Sequence, residues 1–155
     1  MPKYRTLNTE ELRSLEKEFI DFLILNGIPA AEWVKIKEDQ TKAQTIIDSF
    51  SDVVFEKILR ELRYLDHYSP KSIKTFFCDQ DQIYLVGLDT ESEDIDLTTE
   101  EGIKRLQTSP PADLQVYRTS KSYHPSREEE LFKMLQQGCQ KSDGSLYESL
   151  SSNSN

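Results

Sequence analysis

LRYLDHYSPKSIKTFFCDQDQIYLVGLD, residues 62–89, is the stretch that decides the fold. Three short runs lie within it, Leu62 to Tyr68, Ser72 to Cys78 and Ile83 to Asp89, rich in aromatic and β-branched residues. Ser69-Pro70 and Asp79-Gln80-Asp81 separate them, and these are residue types that make tight turns. Parallel strands need crossovers of about a dozen residues or more, and none is available between these runs. The stretch therefore predicts a three-stranded antiparallel meander.

Upstream the period changes to helical. Asn8 or Thr9 suits an N-cap, and Asn8 with Glu11 has capping-box spacing. Leu12, Leu15, Phe19, Phe22 and Leu23 follow on one stripe, and Asn26-Gly27 is a stop signal. Pro29 fits the first turn of a second, short helix with Ala31, Trp33 and Val34. Thr41 is the expected cap of a third helix, whose apolar residues run from Ile46 to Leu62; Ser51-Asp52 would divide it.

Downstream, Asp89 to Glu101 holds seven acids and no base, which predicts a solvated loop. A short helix starts near Thr98 or Thr99 and ends before Pro110-Pro111. Leu114 to Thr119 fits a fourth strand. Pro125 opens a helix through Gln137 with Gly138 as its stop. The expected fold is α+β: an N-terminal helical layer packed on a small antiparallel sheet of three to four strands, with a C-terminal helix. Residues 1–150 are expected to form a single domain and 151–155 (SSNSN) a disordered tail.

Composition agrees with one modest core. Leu, Ile, Val and Phe make up 40 of 155 residues, roughly 26%, above the ~20% below which a charged chain reads as disordered. No apolar run approaches the ~18 residues of a membrane helix, and MPKYRTLNTEEL has no export core, so a cytoplasmic setting without a membrane partner is expected. Twenty-eight acids against 19 bases give a net charge of −9, which repels nucleic acid at long range and leaves it open only through a local basic patch. Cys78 and Cys139 are expected to be reduced thiols.

Signatures of chemistry are sparse. GxGxxG, GxxxxGK[ST], GxSxG and HExxH are absent. ESEDIDLTTEE lacks the glycine of a calcium loop. His67 and His124 with a carboxylate would suit a metal, and Cys78 with a histidine a nucleophile pair. The ordinary readings are edge-of-core histidines and a small buried hydrophobe, so no catalytic residue, metal or cofactor is assigned. A stronger constellation is Lys71, Lys74, Arg118, Lys121 and Arg127 interleaved with Tyr64, Tyr68, Tyr117 and Tyr123, which could hold a phosphate, a carboxylate or RNA at the sheet margin. Its bland alternative is pairing with local acids. Trp33, near Lys35 and Lys37, is either an inter-helix wedge or an exposed anchor for a partner.

Four blocks together, TEELRSLEKEFIDFLILNGIPAAEWVKIK, FSDVVFEKIL, YLDHYSPKSIKTFFCDQDQIYLVGL and LQVYRTSKSYHPSREEELFKML, resemble a bacterial family of small acidic proteins known only as a domain of unknown function. The resemblance covers residues 3 to about 150. It implies a cytoplasmic domain and brings no activity, cofactor or catalytic residue. The expected function is a non-enzymatic protein-binding or adaptor domain. A small ligand-binding protein or enzyme using the Tyr/His/Arg/Lys margin is the alternative, and RNA or ribosome association a weaker one. A flat patch around Trp33 would favour the first; a concave pocket holding His67 or His124 with Arg118 would favour the second.

Overall fold

Turns of two and three residues set the sheet. In the computed structural model, which describes residues 2–153, Pro70-Lys71 joins Tyr64–Ser69 (β1) to Ser72–Cys78 (β2). Residues 79–81 join β2 to Gln82–Asp89 (β3), and all three strands pair antiparallel, as the meander reading requires. Gln115–Ser122 (β4) extends the sheet beside β3, and Gln140–Ser142 (β5) pairs antiparallel with β1. The order is β4-β3-β2-β1-β5, so the sheet has five strands where three or four were expected. β5 is three residues long, Gln-Lys-Ser, and carries no β-branched or aromatic signal.

The chain divides into two compact units, residues 1–60 and 61–155. The first is helical. Asn8 caps Thr9–Ser14 (α1): its side chain accepts from the Glu11 amide at 2.8 Å, and the Glu11 carboxylate accepts from the Asn8 amide at 2.9 Å. The single helix expected up to Asn26 is two, because Leu15, with φ −109° and ψ 24°, separates α1 from Glu16–Leu25 (α2). The Leu15 amide is shared between the Glu11 and Leu12 carbonyls, the bifurcated bond common at helix ends. α2 stops at Gly27 (φ +74°), where the Ile28 amide reaches the Leu23 carbonyl at 2.8 Å and the Gly27 amide the Ile24 carbonyl at 3.0 Å. Pro29 is the N-cap of Ala30–Ile36 (α3) rather than a residue of its first turn.

Gln40–Glu61 (α4) runs unbroken through Ser51-Asp52, against the expected division. Both side chains are used where they stand. The fully buried Ser51 hydroxyl donates to the Ile47 carbonyl at 2.7 Å and accepts from the Leu7 amide at 2.9 Å. The Asp52 carboxylate accepts the amides of Lys3 at 2.8 Å and Tyr4 at 3.3 Å. The polar pair fastens the N-terminal segment to mid-helix instead of ending the helix. Phe50 anchors the unit's aromatic core, with Phe19 and Phe22 at ring distances of 5.0 and 5.3 Å.

In the second unit the register sorts side chains by face. Tyr64, Asp66 and Tyr68 share one face with Ile73, Thr75 and Phe77, with Tyr84, Val86 and Leu88, and with Val116 and Arg118. Glu100–Thr108 (α5) and Ser145–Asn153 (α7) cover that face: Ile73, Leu88, Ile95 and Leu97 are buried together, and Ile103, Leu106, Leu146 and Leu150 pack on them. The acidic stretch 89–101 is therefore not simply a solvated loop, since Ile95 and Leu97 are core residues. Thr99 caps α5, and Ser126 caps Arg127–Gln136 (α6), which gives way to Gly138 at φ +106°.

α7 lay hidden in serine-rich sequence, and it reaches Asn153, three residues into the expected tail. Leu146, Tyr147 and Leu150 have helical spacing and something to bury against, and an Arg118 guanidinium nitrogen donates to the Ser151 carbonyl. The rest of that tail, residues 154–155, lies outside the described residues. No helix among those described is long and apolar enough to cross a membrane.

Gly102 yields a prediction whose sign propensity alone gets wrong. Alanine in a helix is normally better than glycine by about 1 kcal/mol. A Cβ at residue 102 would lie 1.9 Å from the backbone oxygen of Asp96, which has no side chain to swing away. Gly102→Ala is expected to destabilise by about 1–3 kcal/mol, the range for overpacking. Urea denaturation checks it; a stabilised variant would show that the Asp96–Thr99 turn yields freely.

Candidate functional site

The five cations of the sheet margin do not converge. Lys71 sits in the β1–β2 turn and its Nζ donates to the carbonyls of Ser92 and Ile95, the latter at 2.7 Å, strapping down the acidic segment. Arg118 lies on the α5/α7 face, whereas Lys74 and Lys121 are on the other face of the sheet. Lys121 pairs with Glu130, which also accepts the His124 amide at 2.8 Å.

Arg127 is built in most deeply. Its side chain is 10% exposed, its Nε donates to the Asp79 carbonyl at 3.1 Å, and its Nη2 donates to the carbonyls of Leu62 and Cys78, the latter at 3.2 Å. A rigid fork of donors on three carbonyls ties the entrance of β1 to the end of β2. Tyr123 serves the same corner, donating its hydroxyl to the Asp79 carbonyl at 2.6 Å, and burial raises its phenol above the usual range.

The tyrosines also serve packing. Tyr64 belongs to an aromatic row with Phe77 at 5.3 Å and Tyr147 at 5.8 Å. Tyr117 lies over Gly87, where a Cβ would come within 2.5 Å of its ring. Tyr68 donates to Asp66 Oδ2 at 3.1 Å, and burial followed by the Asp66 charge pushes its phenol up to about 12. Asp66 is 6% exposed, and its Oδ1 has no hydrogen-bond partner among the described residues. Burial raises its carboxyl above the ordinary aspartate range, against the opposing pull of the Ser142 and Tyr68 hydroxyls.

His67, Lys74 and Tyr117 share one cross-strand row, on the face opposite Arg118, so His67 and Arg118 do not line a common pocket. The ring of His67 borders Gly138. His124 is exposed and precedes Pro125 through a cis peptide bond. Cys78 and Cys139 are free thiols; burial pushes the Cys78 thiol up to about 12, far from thiolate at neutral pH. Among the described residues no three His, Cys, Asp or Glu side chains gather to hold a metal.

Two concave features stand out instead, one in each unit. In the helical unit Trp33 is half-buried, edge-on to Phe19 at 5.2 Å, and lines a groove of about 320 Å³ between α2 and α3. Ile20, Ile24 and Val34 line it too and remain 46%, 62% and 60% exposed; Leu25 at the end of α2 is 86% exposed. Glu16 stands on one wall and Lys37 on the other. The sequence signal was there: α2 reads FIDFLIL, apolar on more of its circumference than one buried stripe needs. In the sheet unit a cavity of about 770 Å³ opens between the sheet face, α5 and α7. Gln107, Leu114, Ser149 and Leu150 belong to it, and reading the sequence did not single out any of them as a site.

A model of a family of unknown function, DUF6495, matches residues 1–155. The chain belongs to that family. No curated protein and no solved structure matches it. Membership agrees with the resemblance read from the four sequence blocks and assigns no residue a role, so the case for function rests on the geometry of the two concave features.

The carbonyl fork predicts unequal costs. Arg127→Lys keeps the charge and loses the fork, and is expected to destabilise by about 1.5–3 kcal/mol, as for hydrogen bonds to charged groups. Lys121→Ala breaks an exposed pair and should cost ~0–1 kcal/mol. Equal costs in chemical denaturation would contradict the assignment.

Asp66 makes a second prediction. Its folded pKa is raised above the unfolded value of 3.8, so as pH rises through that window the unfolded chain releases its proton first and stability falls. Asp66→Asn removes this dependence. Its stability relative to the natural protein should increase from pH 3.5 to pH 7, and parallel pH profiles would show that Asp66 is not perturbed.

Proposed function

We propose that this protein is a non-enzymatic protein-binding domain that engages its partner through the groove between α2 and α3. The observation that carries the reading is the exposure of Ile20, Ile24, Leu25 and Val34 beside the half-buried Trp33. Contiguous apolar surface with a polar rim marks interaction sites in soluble proteins, and tryptophan is enriched among residues that dominate binding energy. Local packing does not ask for these side chains: Phe19 and Phe22 already meet Phe50 on the inner side of α2.

The groove suits an amphipathic helix that lays two or three aliphatic side chains along the Ile20–Ile24 row. Glu16 and Lys37 on opposing walls favour a partner helix with a basic residue on one side and an acidic one on the other. The dispersal of the five cations, each of Lys71, Arg118, Lys121 and Arg127 bonded to a carbonyl or carboxylate of its own chain, supports placing recognition on the helical unit rather than the sheet margin. Two free thiols agree with a cytoplasmic setting.

The test uses exposed positions, where substitution should move stability by no more than about 0.5 kcal/mol. A photo-crosslinking residue at position 25 identifies the partner in the native host, and the partner's helix is then made as a peptide. Ile24→Glu should weaken that peptide at least tenfold at unchanged melting temperature, while Arg118→Ala leaves it unaltered. Retained affinity in Ile24→Glu, or a crosslink only to a second copy of this chain, would overturn the reading.

A further inference from the structure

The second concave feature carries an inference of its own, independent of the helical groove. We propose that the cavity walled by α5, α7 and the sheet is a binding site for an uncharged amphiphile, a hydrocarbon or aromatic body with one hydrogen-bonding head group. Its volume, about 770 Å³, is within the range of sites that enclose small organic ligands.

Chemistry of the lining narrows the ligand. Seven lining residues are aliphatic, from Leu88 on the sheet floor to Leu106 on α5 and Leu150 on α7, and none is charged, although Asp, Glu, Lys and Arg make up 30% of the chain. A ligand carboxylate or phosphate would lose its hydration without gaining a cation. Arg118 lies two residues along β4 from Val116 on the same face, yet it is outside the lining and donates to the Ser151 carbonyl. A ligand ammonium would meet no carboxylate in the lining either: Asp66, bonded to Tyr68, and Asp143, bonded to Ser145, are both outside it.

Polar groups capable of orienting a neutral head are present and few. The Tyr68 hydroxyl spends its proton on Asp66 and keeps its acceptor capacity for the cavity. The Ser149 hydroxyl and the Gln107 side-chain amide make no hydrogen bond to the described part of the chain, so they are available to an incoming group. Ser145, the remaining polar lining residue, already bonds its hydroxyl to Asp143 at 2.8 Å. One acceptor, two adaptable polar groups and an aliphatic body match an alcohol or amide on a hydrocarbon chain, and match an ion poorly.

The experiment titrates the full chain with the neutral fluorophore N-phenyl-1-naphthylamine and competes it with 1-octanol or with octanoate. Saturable one-to-one binding is expected, displaced by octanol at least tenfold more effectively than by octanoate. Ser149→Trp, a substitution at an exposed position on the rim, should weaken the dye at least tenfold without lowering the melting temperature, whereas Ile24→Glu in the helical groove should leave it unchanged. As a readout that does not depend on any variant folding, the dye should shift the methyl resonances of Ile103 and Leu106. Non-saturable binding, equal competition by octanoate, undiminished affinity in Ser149→Trp, or shifts confined to residues 20–37 would each overturn the proposal. The last result would move the ligand to the α2–α3 groove without touching the protein-binding reading.

Discussion

The sheet unit depends on one cross-strand pair. Ile73 on β2 and Leu88 on β3 stand directly opposite each other, almost wholly buried, and the acidic segment, α5 and α7 all pack aliphatic side chains on their cluster. Ile95 and Leu97 bring the acidic segment down onto the pair, α5 follows with Ile103 and Leu106, and α7 closes with Leu146 and Leu150. Each fully buried aliphatic side chain is worth about 1.5–3 kcal/mol of transfer free energy. The pair thus lets a stretch dense in carboxylates stay attached despite its charge. Lys71 adds the electrostatic complement, donating from the β1–β2 turn to two carbonyls of the same segment. The antiparallel register that sets Ile73 against Leu88 also places Thr75, Val86 and Arg118 in one row, and so decides which cation can reach the end of α7.

The chain's acidity has a structural use that net charge does not convey. Asp39, Asp96 and Asp143 accept backbone amides two residues on, at Thr41, Thr98 and Ser145, and Asp113 accepts the Glu91 amide across the loop. Short carboxylates that close turns in this way compete with regular structure inside elements and suit the ends of them. Hydrogen bonds from Thr98, Thr90 and Ser145 hydroxyls or amides hold Asp96, Asp113 and Asp143 below the ordinary aspartate range. Asp94 is drawn down to about 2, first by the Ser92 hydroxyl and then by Arg105. These are groups that stabilise the fold while ionised and stop doing so as pH falls through their folded pKa. Asp66, raised by burial, is the opposite case within the same sheet.

Legibility in the sequence followed the range of the interaction. Features fixed within four or five residues were readable: the Asn8–Glu11 box, the Gly27 stop, the start of α5 near Thr98 or Thr99 and the limits of β2 at Ser72 and Cys78. What needed a distant partner was not. Ser51 looks like a helix breaker until the Leu7 amide is found against its hydroxyl, and the serine-rich segment 145–153 looks unstructured until Leu146 and Leu150 meet Ile73 and Leu88. β5 exists because β1 offers a free edge to Gln140–Ser142, not because those residues favour strands. The same limit scattered the cation cluster. Residues close in two short segments alternate between faces, so Arg118 and Lys121 end on opposite sides of one strand.

The two concave features were legible to different degrees for a related reason. α2 shows its second apolar row, Ile20 and Ile24, at a spacing that any helix reading exposes, and Trp33 drew attention by type alone. The sheet cavity collects its walls from single residues of β1, β3 and β4, from Leu114 just before β4, and from three residues of α5 and four of α7, and no local pattern links Tyr68 to Leu114 or Ser149. The groove can be assembled from one helix turn and its neighbour, whereas the cavity exists only after Ile73 and Leu88 have gathered the segments that surround it. A recognition site made by long-range packing also inherits the stability of that packing. The Ile73–Leu88 pair governs the shape of the cavity as directly as it governs the fold of the sheet unit.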